Sequence, residues 1–399
     1  MQESSNESPS REESSSKAGD SPDGRLVGGS FCRIKYEPIN LNSSQAVKNY
    51  LLSQGWVPTT FNYQKDSRGY FVKDDEGNHI PTSPKLTEDS FESVTGDIPK
   101  LVARRNILIH RQRLLDNVRN DGTLSGLLNY VRDDGRVEAR CIPQSTNTGR
   151  ATHAIVVNIP SVHAVYGKEI RDLFIAREGY EFVGVDAAAL EARVFAHFML
   201  NYPGGDVLAD LVLHGDIHQE NASMWNCSRN DAKSPYYALM YGSQIPKFSA
   251  TLGVDIRTGT RYYNAFWEKY RPLELLKQDL TKAWEARGGK KGGFIKGIDG
   301  RKLHARSQHS LVNLMFQSTG SIVVKVAGLY TDKWKERKKL DVNQWLFYHD
   351  EYNYECLKQH TEQFLPLTRL AFKKAGEFFK LNVEIVGEPK VGPTYLSTH

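Results

Sequence analysis

The 399-residue sequence has few cysteines and no long apolar run. Its four cysteines lie more than 80 residues apart and form no CxxC or Cys/His spacing, so we expect reduced, buried thiols rather than a zinc site. No apolar run approaches the roughly 20 residues of a membrane helix, and the amino terminus lacks the basic and apolar segments of a signal peptide. These absences predict a cytoplasmic protein without a membrane partner.

Charge is distributed unevenly along the chain. Residues 1–24 hold six acidic and two basic side chains, so the other 375 residues carry a net charge of +9. A basic folded region favours a polyanionic partner, although solvated lysine-rich faces give the same charge. Residues 1–30 are rich in Ser, Glu, Gly and Pro. They have too few apolar side chains to offset chain entropy, and we expect a disordered, acidic tail.

The periodicity of apolar residues predicts both helices and strands, without an internal repeat. Helices are expected at 43–56, 98–118, through most of 187–285, at about 309–334 and at 359–380. Strands are expected at 135–144 and 179–186, in hairpins around Asp299-Gly300 and over 344–356, and in a last strand, NVEIVG, over 382–387. Strands at both ends with a helical insertion between them predict an α+β fold.

Two adjacent acids, Asp350 and Glu351, stand in the strand-like stretch FYHDEYNYEC. Successive side chains of a strand point to opposite faces, so both acids can face one place only if the chain reverses at this point. Asp186 ends another apolar strand. Two converging aspartates suit a pair of Mg²⁺ ions, which catalyse phosphoryl transfer when about 3.5–4 Å apart. The alternative is that each acid is an isolated turn or cap residue.

A second cluster lies in RNDAKSPYYALMYG, residues 229–242. On a helix, Arg229, Lys233 and Tyr237 form one stripe, because residues four apart share a face. Two cations followed by an aromatic ring suit a nucleoside triphosphate. A solvated basic stripe on a surface helix is the alternative. His218 lies nearby in sequence, but a single histidine is usually structural.

The motifs GVDAAALEARVFAHFM, RNDAKSPYYALMYG and YHDE, in this order and at these separations, resemble the palm and fingers motifs of the family A (DNA polymerase I) replicases. The most similar branch is that of the replicative polymerases of short-tailed phages. Further matches are TGRATH, GDIH, DGRKLHARSQHSLVNLMFQSTG and the ending VGPTYLSTH, so the resemblance covers roughly residues 140–399.

The resemblance implies a right-hand polymerase fold with an antiparallel palm sheet, a helical fingers subdomain and a truncated thumb. The implied domains are the tail (1–30), a residual thumb or N-terminal helical region (31–137), the first part of the palm (138–199), the fingers (200–312) and the second part of the palm (313–399).

The resemblance also implies roles for individual residues. Asp186 and Asp350 hold two Mg²⁺ ions, and Glu351 is the third catalytic acid, which supports the site from close by. The implied nucleotide-binding residues are His218, Arg229, Lys233, Tyr237 and Glu191. The implied DNA-binding residues are Arg150, Tyr241, Asn313, Gln317 and His349. Glu191 crowds the ribose 2′ position, which favours deoxynucleotides, and Tyr237 implies tolerance of nucleotides that lack the 3′-hydroxyl.

The implied function is template-directed DNA synthesis, in which deoxynucleoside triphosphates are added to the 3′ end of a primer on primer–template DNA. Residues 31–140 contain no acidic exonuclease signature. We therefore expect no intrinsic proofreading, and a separate polypeptide that supplies an exonuclease, thumb or processivity function. The site of action is the host cytoplasm if the chain is phage-encoded. Two alternatives stay open: a single-subunit RNA polymerase, and a catalytically inactive nucleic-acid-binding subunit of a replication complex.

Pro235 departs from an ideal nucleotide-binding helix. Inside a helix, proline lacks the N–H and clashes with the carbonyl four residues earlier. We therefore expect the helix to begin near Lys233 or to kink there, which affects the reach of Arg229.

Overall fold

The computed structural model describes residues 38–67, 71–72, 74, 80–156 and 159–399. The predicted tail, residues 1–30, and Cys32 lie outside the described residues. The other three cysteines have free thiols. Of these, only Cys356 is buried as expected, while Cys141 and Cys227 are half-buried. Among the helices in the described part of the chain, none combines the length and the apolar composition that a membrane crossing requires.

The described residues form helices and strands in a mixed order along the chain. The helices are α1 (Ser44–Ser53), α2 (Asp97–Leu115), α3 (Gly167–Asp172), α4 (Leu190–Met199), α5 (Gly205–His214), α6 (Ile217–Trp225), α7 (Arg229–Met240), α8 (Ile245–Leu252), α9 (Ile256–Lys269), α10 (Arg271–Glu285), α11 (Leu311–Arg337) and α12 (Thr361–Phe378). The strands are β1 (Phe61–Tyr63), β2 (Pro81–Pro84), β3 (Asn117–Val118), β4 (Leu124–Ser125), β5 (Ala139–Ile142), β6 (Thr152–Ile155), β7 (Tyr180–Ala187), β8 (Phe294–Lys296), β9 (Lys302–His304), β10 (Val342–Tyr348), β11 (Glu351–Leu357) and β12 (Gly387–Gly392).

The described residues divide into two compact units, of which the smaller comprises residues 38–60 together with 84–103. In this unit α1 is capped by the Ser43 hydroxyl and buries Val47 and Leu51. The Trp56 ring packs against Phe91 at a centroid distance of 5.9 Å. These side chains give the smaller unit an apolar core of its own.

The larger unit, residues 61–83 with 104–399, is built around an antiparallel sheet with the strand order β10-β11-β7-β12. In β7, the run FVGV is buried along its whole length. A strand that is apolar on both faces must be covered on both faces. On one side Val323 and Val324 of α11 and Phe364 and Phe372 of α12 pack against the sheet. Burial of each such side chain contributes about 1.5–3 kcal/mol.

The remaining helices of the larger unit include α4 to α10, which share a second apolar core rich in aromatic side chains. Phe266 stacks on Tyr270 at a centroid distance of 4.4 Å. The Tyr270 hydroxyl donates to Asn221 Oδ1 at 2.9 Å, so this buried phenol keeps a polar partner. The hairpin predicted around Asp299-Gly300 is confirmed as β8–β9, with φ of +80° at Gly300.

The α+β class and the antiparallel sheet are confirmed. The prediction of a last strand over 382–387 is wrong, because the strand that pairs with β7 is Gly387–Gly392. Residues before it bond to α4 instead: the Asn382 amide donates to His197 Nδ1 at 3.1 Å. Arg193 Nη1 donates to the Glu384 carbonyl at 2.8 Å. Because β12 is an edge strand, it also accommodates a proline, which lacks the N–H that a central strand needs.

Candidate active site

Three acidic side chains lie at one end of the central sheet. Asp186, near the end of β7, is the direct cross-strand partner of Glu351, the first residue of β11. After β10 the chain reverses through His349 and Asp350, and His349 adopts φ of +57°. The Ala187 amide donates to the Asp350 carbonyl at 3.3 Å. The reversal therefore brings Asp350 beside the end of β7, next to the other two acids.

Partial burial and neighbouring like charges both act on Asp186 at this end of the sheet. Partial desolvation and, after it, the charges of Asp350 and Glu351 raise the pKa of Asp186 to about 6, although the side chain stays open to solvent at the sheet end. Neither Asp186 nor Asp350 forms an ion pair with another described residue. A bound cation would relieve this repulsion.

Glu351 differs from the two aspartates because protein groups engage both of its carboxylate oxygens. Asn353 Nδ2 donates to Oε1 at 2.7 Å. His399 Nε2 lies 3.3 Å from Oε2, an ion pair when the ring is protonated. The His399 ring is positioned in turn by its Nδ1 contact with the Tyr395 carbonyl, at 3.0 Å. Sequence reasoning assigned no role to Asn353 or His399, although the ending VGPTYLSTH was one of the matching segments.

The acids fit hard divalent cations better than a metal that needs a closed protein shell. Within the described ranges, no group of three or more His, Cys, Asp or Glu side chains is arranged to hold a metal ion. Mg²⁺ is usually held by one or two carboxylates, with water and substrate phosphates completing its shell. Two aspartates with unpaired carboxylates are therefore a suitable donor set for Mg²⁺ and an unsuitable one for zinc.

Two of the residues predicted to bind the nucleotide lie at the starts of two helices. His218 is the second residue of α6, and Arg229 is the first residue of α7. Burial lowers the pKa of His218, and the nearby cations Arg229 and Lys233 lower it further, while Asp216 raises it. The Nδ1 atom of His218 is buried and has no hydrogen-bond partner among the described residues.

The expectation that α7 begins near Lys233 is wrong. The helix begins at Arg229, because the Ser228 hydroxyl accepts from the Asp231 amide at 3.2 Å and caps the first turn. Pro235 is buried inside the helix, where it removes one backbone donor. Arg229 is therefore helical, and its Nε donates to Asp216 Oδ2 at 2.6 Å.

One cavity of about 340 Å³ brings together most of the predicted nucleotide- and DNA-binding residues. Its walls include eight of them: Arg150, Glu191, His218, Arg229, Tyr237, Tyr241, Asn313 and Gln317. The other five predicted residues, Asp186, Lys233, His349, Asp350 and Glu351, do not line it. Asp186 is nevertheless close to the cavity along the chain, because α4, which carries Glu191, begins three residues after β7.

Glu191 occupies the middle of a polar group on one wall of the cavity. Its Oε1 accepts from Gln317 Nε2 at 3.0 Å and lies 3.9 Å from Arg150 Nη2. Burial raises the pKa of Tyr241, and the charge of Glu191 raises it further. Tyr237 is 42% exposed and stacks on Tyr241, with ring planes 23° apart. A flat ligand that enters the cavity therefore meets an exposed aromatic face on one side and a carboxylate on another.

The turn that carries His349 is flanked by the hairpin β5–β6. The His153 ring lies 5.5 Å from the His349 ring and 5.1 Å from the Tyr348 ring. Burial lowers the pKa of both histidines, and nearby Arg150 lowers the pKa of His349 further. His153 stands in the TGRATH motif, but sequence reasoning assigned it no role. Its aromatic neighbours hold it against the His349 turn.

The loop before Arg150 is fastened to α11 and to the β8–β9 hairpin. The Lys325 ammonium donates to the Pro143 and Gly149 carbonyls. The Ser321 hydroxyl also donates to Gly149, at 2.9 Å. Arg301 Nη2 donates to the Thr148 carbonyl at 3.2 Å. These bonds fix the backbone that presents Arg150 to the cavity.

Known proteins resemble the chain in sequence and in fold. Residues 29–397 match the family model described as DNA polymerase family A. The chain is 26% identical over 405 residues to the DNA-directed DNA polymerase of Escherichia phage T7, covering 94% of this chain and 54% of that protein. It is 26% identical over 289 residues to DNA polymerase I of Pseudomonas aeruginosa, covering 66% and 30%. The chain thus spans about half the length of the phage relative.

A solved structure, the POL domain of Pol1 from M. smegmatis in complex with DNA primer-template and dNTP, has the same fold. It matches with a TM-score of 0.66 and 20% identity, covering 90% of this chain and 62% of that one. Since the family model spans nearly the whole sequence, the chain belongs to DNA polymerase family A.

Proposed function

We propose that this chain catalyses template-directed DNA synthesis by adding deoxynucleotides to the 3′ end of a primer. The observation that carries the proposal is the convergence of Asp186, Asp350 and Glu351 at one sheet end, combined with the cavity whose walls hold eight predicted binding residues. The relatives named DNA polymerases, and the solved POL domain bound to primer–template and dNTP, support it. The net positive charge of the folded region suits a polyanionic substrate.

In the proposed mechanism, Asp186 and Asp350 would hold two Mg²⁺ ions. When bound, these ions supply activation of the attacking primer hydroxyl and neutralise charge on the transferred phosphate. Glu351 does not need to be a direct ligand, because Asn353 and His399 already engage its oxygens. Its proposed role is to keep the local charge negative and the sheet end ordered, as groups beside the metal ligands do at many metal sites.

The proposed nucleotide site is the cavity beside α6 and α7. The His218 ring and the cations Arg229 and Lys233 are proposed to receive the triphosphate, with donors and charges that need no rearrangement during the reaction. Tyr237 offers its exposed face to the incoming nucleotide. Glu191, held by Gln317, is proposed to stand against the ribose and to favour deoxynucleotides.

The proposed DNA contacts come from residues around the same cavity. Arg150, Asn313 and Gln317 are donors suited to the minor-groove acceptors that all base pairs share, which permits reading without sequence preference. Tyr241 and His349 are proposed to lie near the base pair at the primer end. We also propose that proofreading is absent from this chain and that a separate polypeptide supplies it, because residues 31–140 contain no exonuclease signature. The proposed place of action is the cytoplasm.

The test is primer extension with the Asp350→Ala variant. We expect the rate to fall by about 10³-fold or more, because a metal ligand is lost, while binding of primer–template survives. Asp341→Ala is the matched control. Asp341 lies just before β10, whereas Asp350 follows the other end of this strand. The Asp341 carboxylate accepts a hydrogen bond from the Tyr180 hydroxyl. It should keep most of the activity.

Three results would count against the proposal. Equal extension by Asp350→Ala and the wild type would remove the metal assignment. Tight binding without any extension by the wild type would favour an inactive binding subunit. Extension with ribonucleotides as fast as with deoxynucleotides would favour an RNA polymerase and contradict the role of Glu191.

A further inference from the structure

We infer that Asp216 is a positioning residue that couples the two phosphate-binding side chains His218 and Arg229 through one carboxylate. This inference rests on the proposed function, because its effect is on the binding of the triphosphate. Asp216 belongs to the GDIH segment and lines the same cavity as both partners. Asp216 is not among the binding residues predicted from the sequence.

The two oxygens of Asp216 have separate partners. Oδ1 accepts from the backbone amides of His218 at 3.1 Å and Gln219 at 3.0 Å, and so caps the start of α6. Oδ2 accepts from Arg229 Nε at 2.6 Å. The helix that carries His218 and the guanidinium of Arg229 are therefore tied to a single group. The hydrogen bond from Arg229 is also the largest cause that lowers the pKa of Asp216, so the carboxylate is ionised at neutral pH.

The geometry of the pair leaves Arg229 available to a ligand. Asp216 takes the Nε–H, and no other hydrogen bond or ion pair of Arg229 involves a described residue. The Nη1 and Nη2 edge of the guanidinium is thus free to bind a phosphate in a bidentate manner. Arg229 is about half exposed and its side chain has many rotamers in isolation. Because Nε is already held by Asp216, the Arg229 side chain loses less conformational entropy when it binds the triphosphate.

The test is steady-state incorporation of a single deoxynucleotide by the Asp216→Asn variant of the full chain. Asparagine keeps the cap, because Asn and Asp are comparable N-cap residues, but it loses the charge that holds Arg229. We expect the KM for the incoming nucleotide to rise about fivefold, the scale of an exposed ion pair, with kcat nearly unchanged. Asp216→Ser, which also caps a helix, gives a second variant if the first folds poorly.

Asp255→Asn is the matched control. Asp255 caps α9 with the same pattern, accepting from the amides two and three residues later, Arg257 and Thr258. It forms no ion pair with a described residue. The control should share any small loss of thermal stability with Asp216→Asn but should leave the KM for the nucleotide unchanged.

A double-mutant cycle with Arg229→Gln decides whether Asp216 acts through Arg229. We expect Asp216→Asn to have no further effect on KM in the Arg229→Gln background. Additive effects in the cycle, an unchanged KM in Asp216→Asn, or an equal rise in KM in Asp255→Asn would each overturn the inference. A wild type that does not extend primers would instead contradict the proposed function, so the two failures are distinguishable.

Discussion

The acidic end of the sheet and the cationic cluster around Arg229 and Lys233 at the starts of α6 and α7 both hold neighbouring like charges, but their central residues differ in whether they have a counter-ion. Arg229 pairs with Asp216 at 2.6 Å. Asp186 and Asp350 have no such partner among the described residues, and their mutual repulsion contributes to a pKa of about 6 for Asp186. The charge of Arg229 is therefore compensated within the protein, whereas the charges of Asp186 and Asp350 are not.

The two regions also differ in what holds them. The acids are placed by strand register, because Asp186 and Glu351 are cross-strand partners and the turn follows directly. The cations are placed by helix caps and one side-chain ion pair. Strand register is a property of the whole sheet, while a capped helix start is a local feature. Substitutions should accordingly lower activity and stability more at the acidic sheet end than at the two helix starts.

The largest effect is expected for Asp186→Asn. Loss of this proposed Mg²⁺ ligand should lower the rate of nucleotide incorporation by at least about 10³-fold. Without divalent cations, however, the variant should melt at a higher temperature than the wild type, because one of the neighbouring like charges is removed. Incorporation assays and thermal melts with and without Mg²⁺ measure both effects.

The comparison with the cationic cluster supplies the control for this experiment. Arg229→Gln should weaken nucleotide binding and leave the Mg²⁺ dependence of the melting temperature as in the wild type. If Asp186→Asn melted below the wild type without Mg²⁺, the view that burial and like-charge repulsion destabilise the Asp186 carboxylate would be wrong.

The next effect is on stability and tests how rigidly the sheet positions the acids. At Gly184 in β7, a Cβ would lie 2.6 Å from Thr398 Cβ and 2.9 Å from Asn353 Oδ1. Both contacts are too short, and Asn353 is the residue that donates to Glu351. Gly184→Ala should destabilise the chain by about 1–3 kcal/mol, as overpacking does in close-packed cores. Urea denaturation measures this, and a change below about 0.5 kcal/mol would show that the sheet adapts easily.

Sequence reasoning located most of the elements around the site because their signals are local. The apolar run that ends at Asp186, the stripe of α7 and the Asp299-Gly300 hairpin each depend on residues close in the chain. The three acids are brought to one sheet end by the pairing of β7 and β11, which lie about 165 residues apart in sequence. Their convergence followed from the family resemblance rather than from the spacing.

Errors arose where tertiary contacts override local preference. The segment NVEIVG is rich in strand-forming residues, yet hydrogen bonds to His197 and Arg193 divert its first part from the sheet. Pro235 suggested a late helix start, but the cap at Ser228 fixes an earlier one. Asn353, His399, His153 and Asp216 were missed because their contacts with Glu351, His349 and Arg229 depend on how the chain folds and leave no pattern in the sequence.

The smallest effects separate two glutamates that both lie opposite Asp186. Glu351 and Glu388 are its cross-strand partners on β11 and β12. Glu351 is anchored by Asn353 and His399, whereas Glu388 is exposed on an edge strand and is the weakest acidic influence on the pKa of Asp186.

Glu351→Gln should lower the incorporation rate by about 10- to 100-fold, the range for groups that support metal ligands. Glu388→Gln should lower it by less than about threefold, because an exposed charge is screened by solvent and salt. Single-turnover rates of both variants at saturating nucleotide and Mg²⁺ measure the two effects. Equal losses would mean that a position opposite Asp186 is sufficient for an acid to support the reaction, with or without the anchoring contacts.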